Sequence, residues 1–160
     1  MHEQEAIENF LIWFVEPINK LKELPNGAGG FVAFMVGLSL YERLLKARLS
    51  LSDKKADDKE FQRAMQADLH LNEQQRSIFW DFFRNGLLHQ AMPKLGKTNY
   101  CFHHTFSGIP EFTNINGQPS ICIDPWKFTD RVLNEFLENP ILIIRTNSYP
   151  FASIQPFEFT

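Results

Sequence analysis

With 160 residues, the chain suits one ordinary domain with a sizeable core. Hydrophobic residues make up 44% and charged residues 22%, a globular balance that excludes a disordered tail, a fibrous repeat and a collagen-like chain. The net charge of -3, from 19 acidic and 16 basic residues, excludes a uniformly basic nucleic-acid clamp, so any RNA or DNA site has to be local.

The chain opens on Met1-His2-Glu3-Gln4-Glu5, acidic where a secretory signal begins basic. Residues 4 to 23 read as a first helix, because Ile7, Phe10, Leu11, Phe14, Ile18 and Leu21 recur at spacings of three and four. Pro17 falls inside that pattern and is expected to kink or split it. Leu24-Pro25-Asn26-Gly27 is a strong stop, and a second helix is expected over 30–49. Gly30, Ala33 and Gly37 lie close together on its surface, which marks either a tightly packed helix or a seat for another helix. Residues 28 to 41 form the longest uncharged, mostly apolar run, shorter than the roughly 20 residues a membrane span needs. Without a span, a targeting motif or a lipidation motif, the expectation is a soluble cytoplasmic protein with no membrane partner. Residues 50 to 59 are a polar connector leading into a third helix, expected over 57–69. Asn72 offers an N-cap, with Gln75 at the third helical position, for a fourth helix over 73–91 that Pro93 helps to end.

Beyond residue 95 the pattern changes. Tyr100 to Phe106 alternates like a strand. Glu111–Ile115 and Gln118–Ile123 flank Asn116-Gly117, the strongest short hairpin signal. Pro125 can open a last helix, Trp126–Glu138, followed by a short apolar run, Ile141–Ile144, and an extended tail from Tyr149 to Thr160. The sixteen phenylalanines are enough to fill a core and to leave an apolar surface for a partner.

The chemistry concentrates in the fourth helix. On a helical wheel Phe79, Trp80, Phe82, Phe83 and Leu87 cover one broad side, while Gln74, Ser77, Asp81, Arg84, Asn85 and His89 form a polar stripe. A guanidinium, an amide and an imidazole thus share one strip. Guanidinium grips phosphate oxygens in a planar fork. Imidazole both takes and gives protons near neutral pH, and an amide can orient either group. The same stripe is also what the solvated face of any amphipathic helix shows.

Arg84-Asn85-Gly86-Leu87-Leu88-His89 resembles the Arg-polar-x-x-x-His motif of HEPN domains, small helical bundles that carry it in a late helix. The resemblance covers residues 1 to about 95 and implies a mainly α fold: a four-helix HEPN-like bundle over 1–95. Residues 96–160 then form a small α+β appendage of hairpin, helix and extended tail packed on it. Many members are metal-independent endoribonucleases that pair two protomers so that both motifs share one cleft. The resemblance therefore implies a homodimer acting on RNA without a cofactor. His89 would be the general base or acid at a ribose 2'-hydroxyl, Arg84 the phosphate ligand and Asn85 the positioning group. Other members are non-catalytic modules that bind RNA or a partner protein, such as an antitoxin in a toxin–antitoxin or defence assembly. Gln90 follows the His where many relatives have Gly, and Ala91 stands where one toxin variant has Tyr.

Basic residues Arg43, Lys46, Arg48, Lys54 and Lys55 gather around the end of the second helix, and Lys94 and Lys97 follow the motif helix. Of these, Arg48, Lys94 and Lys97 are the candidate substrate contacts along an RNA backbone. Cys101, His103, His104, Cys122 and His70 lack zinc-ligand spacing, and the two cysteines are too few for a disulfide framework, so no metal is expected.

Overall fold

The computed structural model describes residues 3–52, 57–93 and 97–144, and of Gln90 the backbone alone. Lys54, Lys55, Lys94 and the tail from Tyr149 onward lie outside these residues. The fold is mainly helical, with a small three-stranded sheet towards the C-terminal end. No helix among the described residues is long and apolar enough to cross a membrane.

The first rod consists of α1 (Glu3–Phe10) and α2 (Glu16–Lys22), joined by a π-turn at Leu11–Val15. Pro17 sits just past that turn, in the first turn of α2. A proline ring crowds the carbonyl four residues back and offers no N–H. The wider π-turn contains that carbonyl, at Trp13, and gives it room. Proline therefore widens the rod's winding without breaking it.

The central helix is α3 (Gly30–Leu51), which buries Phe34, Leu38, Tyr41 and Leu44 completely. Asp57 caps α4 (Asp58–Asp68) by accepting from the Glu60 N–H. Asn72 and Gln75 form a reciprocal capping box at the start of α5 (Glu73–Phe79). A second π-turn, Trp80–Asn85, then leads into α6 (Gly86–Gln90). Ala91 ends that helix in the left-handed region, at φ 56°.

Strand β1 (Asn99–Phe102) is shorter than expected. The chain turns at His103, and the Phe106 N–H bonds back to the His103 carbonyl. Strands β2 (Glu111–Ile115) and β3 (Gln118–Ile123) form the hairpin, with Ile115 opposite Gln118. Asn116 and Gly117 both have positive φ, 52° and 80°, as a type I′ turn requires. β3 also pairs with β1 in parallel, so the order is β1-β3-β2.

Asp124 and Pro125 open α7 (Pro125–Glu138): the carboxylate accepts from the backbone N–H groups of Trp126 and Lys127 at 2.9 and 3.2 Å. The stretch Ile141–Ile144 is a short helix, α8. α7 packs along α3 where the small residues lie. Pro125 and Trp126 cover Gly30, and Thr129 sits against Gly37. The Thr129 hydroxyl donates to the carbonyls of Ala33 (3.1 Å) and Pro125 (2.8 Å). A charged clasp binds the same pair of helices to α4. Asp68 accepts from the Tyr41 hydroxyl at 2.9 Å, from Arg131 at 2.9 Å and from Arg48 at 3.1 Å.

The sheet docks through aromatic rings. Tyr100 and Phe102 of β1 meet Phe31 and Phe34 of α3 and Phe82 and Phe83 of the second π-turn, with centroids 5.0 to 6.3 Å apart. None of the described phenylalanines is exposed. Among the described residues, the large apolar side chains left exposed are Ile12, Trp13, Leu24, Val32, Leu51, Leu88, Met92, Ile115 and Ile141.

Candidate functional site

The motif helix keeps its apolar residues inward. Phe79, Phe82, Phe83 and Leu87 are buried, Trp80 is half-buried, and Gln74, Ser77 and His89 are exposed. The second π-turn carries Asp81, Arg84 and Asn85, and α6 carries His89.

Arg84 is fixed from two sides. Its Nε and Nη2 donate to one carboxylate oxygen of Glu42 on α3, at 3.1 and 2.9 Å. Its Nη1 donates to Asn85 Oδ1 at 3.3 Å. Asn85 in turn donates from Nδ2 to Asp81 at 3.2 Å. The guanidinium carbon lies 5.7 Å from the centre of the Trp80 ring. Three of the five N–H donors are thereby used, and one remains on each terminal nitrogen.

Glu42 is the hub of this network. Its other oxygen accepts from Lys46 at 2.7 Å. Burial alone would raise its carboxyl pKa, but the hydrogen bonds and charges of Lys46 and Arg84 outweigh burial and hold it below the ordinary value. Glu42 is therefore a firm anion at neutral pH, and Arg84 is anchored by it.

His89 is exposed five residues further on, with no hydrogen bond or ion pair to any described residue. Its ring is open to solvent and to a ligand. Leu88 and Met92, 38% and 50% exposed, flank it and leave apolar surface beside the polar stripe.

The other candidate contacts lie apart from this network. Arg48 is held between two carboxylates, Asp68 at 3.1 Å and Glu135 at 2.6 Å. Lys97 is exposed. Cys101 and Cys122 are register partners on β1 and β3. The His103 ring is bonded to the Thr105 hydroxyl at 2.9 Å.

Sequence reasoning missed Glu42, which lies 42 residues from Arg84. Its only sequence signal was the acid-to-base spacing of four with Lys46 on an exposed helical face. Compared with known proteins, the chain matches no family model, no curated relative and no solved structure.

Proposed function

We propose that this chain is a HEPN-like, metal-independent endoribonuclease that works as a two-fold homodimer. The observation that carries the reading is an open imidazole, His89, five residues after an arginine that Glu42 anchors. In this mechanism His89 takes the proton of a ribose 2'-hydroxyl, and the 2'-oxygen attacks the adjacent phosphorus. The bond to the 5'-oxygen breaks and a 2',3'-cyclic phosphate forms. The two remaining N–H groups of Arg84 face the charge that builds on the phosphate. One imidazole cannot be base and acid in the same step. A second copy of the motif supplies the proton for the leaving oxygen, which is the chemical reason for a dimer. Leu88 and Met92 give that dimer an apolar contact beside the stripe.

The Arg84–Glu42 pair favours a second reading. A guanidinium already neutralised by a carboxylate suits a non-catalytic RNA- or partner-binding module, such as one that holds an antitoxin.

Purified protein incubated with labelled single-stranded RNA in EDTA separates the two. The nuclease reading expects cleavage that persists in chelator and falls roughly 100-fold in His89→Ala. It expects little change in melting, because an exposed polar substitution is usually within about 0.5 kcal/mol. Cleavage by His89→Ala at the wild-type rate would refute the catalytic role.

A further inference from the structure

A cleft of about 260 Å3 opens between α3, α4 and the α5–π-turn segment. Its wall includes Glu42, Lys46, Phe61, Arg76, Trp80 and Arg84. Two aromatic rings form its apolar corner: Phe61 and Trp80 meet edge to face, with centroids 5.3 Å apart. Lys46 stands 5.8 Å from the centre of the Phe61 ring.

The charges around this corner do not balance. Three cations, Lys46, Arg76 and Arg84, face two carboxylates, Glu42 and Asp58. Glu42 is shared between Lys46 and Arg84. The Arg76 guanidinium makes no hydrogen bond or ion pair with any described residue, and its Nε is buried without a partner. A guanidinium keeps its charge at any ordinary pH. With Nε enclosed, the terminal nitrogens are what Arg76 can offer to a ligand, end-on. The geometry is that of a site holding one excess positive charge beside an aromatic corner.

We propose that this cleft binds a small aromatic monocarboxylate, with its ring against Trp80 and Phe61 and its carboxylate on the end of Arg76. One uncompensated cation matches one negative charge. The volume falls below the roughly 300 to 1,000 Å3 of sites for drug-sized ligands, which sets the ligand at a single ring. The carboxylate fits the planar end of a guanidinium with two parallel hydrogen bonds. The proposal does not rest on the ribonuclease reading. Ligand binding and RNA cleavage are measured separately, and either can fail alone.

Calorimetric titration of the full chain with phenylacetate tests it, beside acetate, 2-phenylethanol and AMP. Phenylacetate is expected to bind at least tenfold more tightly than acetate, which lacks the ring, and than 2-phenylethanol, which lacks the charge. Arg76→Gln should weaken phenylacetate at least tenfold without moving the melting temperature. Trp80→Leu should weaken it as well, with Trp80→Phe recovering most of the loss. Three results overturn the proposal: phenylacetate no tighter than acetate, wild-type affinity in Arg76→Gln, or AMP binding more tightly than phenylacetate in an Arg76-dependent way.

Discussion

Replacing Gly37 by alanine sets two effects of similar size against each other. In the interior of a 22-residue helix, alanine is intrinsically better than glycine by about 1 kcal/mol, and in isolation the change would stabilise α3. The contact with α7 opposes it. A Cβ on residue 37 would lie 2.6 Å from Thr129 Oγ1, 3.2 Å from its Cβ and 3.3 Å from its Cα. Carbon atoms prefer separations of about 3.5 to 4.0 Å, so something must move. Rotating Thr129 sacrifices its bonds to the Ala33 and Pro125 carbonyls, at about 0.5 to 1.5 kcal/mol each. Keeping Thr129 in place pushes α7 off α3, and overpacking of this kind costs about 1 to 3 kcal/mol. Packing offsets the propensity gain or exceeds it, and Gly37→Ala is expected to lose up to about 2 kcal/mol net. Urea denaturation at neutral pH reads this as a lower midpoint with an unchanged slope. Thr129→Ala in the same background removes the shortest contact. The double variant should therefore be more stable than additivity predicts, by about 0.5 to 1 kcal/mol. A Gly37→Ala protein as stable as wild type, with an additive double variant, would refute the close crossing of α3 and α7.

The clasp at Asp68 gives a pH-dependent expectation. Burial opposes its ionisation, but Arg131, Tyr41 and Arg48 outweigh burial and hold its carboxyl below the ordinary 3.8. A carboxyl lowered in the folded state adds stability above its unfolded value and loses it as pH falls through the folded one. Asp68→Asn should cost about 2 to 3 kcal/mol at pH 7, since it leaves the Arg131 guanidinium without its counter-charge. The gap to wild type should narrow as pH falls below 4, and a constant gap in acid denaturation would count against the clasp. Burial and the adjacent Cys101 sulfur push the Cys122 thiol up to about 11. Iodoacetamide at pH 8 should label half-buried Cys101 and spare Cys122 until the chain is unfolded, whereas equal native labelling would contradict this register. Ala91→Gly, at a φ of 56°, should raise stability by about 0.5 to 1 kcal/mol, seen as a higher melting temperature.

Features set by short-range chemistry were legible in the sequence. The Asn72–Gln75 box, the Asn116-Gly117 turn and the Pro125 start each depend on a few adjacent residues, and each stands where its signal lies. The spacing of Gly30, Ala33 and Gly37 left room for a close approach, and did not show that α7 would make it. The burial of the motif helix followed from its apolar side. What the chain order hides are partners from distant segments. Glu42 under Arg84 and Asp68 under Arg131 are single carboxylates among 19 acidic residues, and only the folded arrangement selects them. β1 ends early because the turn at His103 and the Lys127 bonds to the His104 and Phe106 carbonyls take over the backbone there. Alternation alone could not show that competition.

The second π-turn has a consequence for how the six-residue motif is read. Such a turn bonds each N–H five residues back and so holds one residue more than an α-turn. Side chains leaving it are out of phase with a uniform helix by about one residue, or about 100°. Arg84 meets Glu42 in that altered phase. Deleting one residue between Trp80 and Phe83 would let the turn relax to ordinary winding. The order Arg-Asn-x-x-x-His would survive letter for letter, yet its side chains would be carried round to another side of the bundle, away from Glu42. Two chains can thus spell the same motif and present different surfaces, because the winding upstream of the arginine decides which way the letters face.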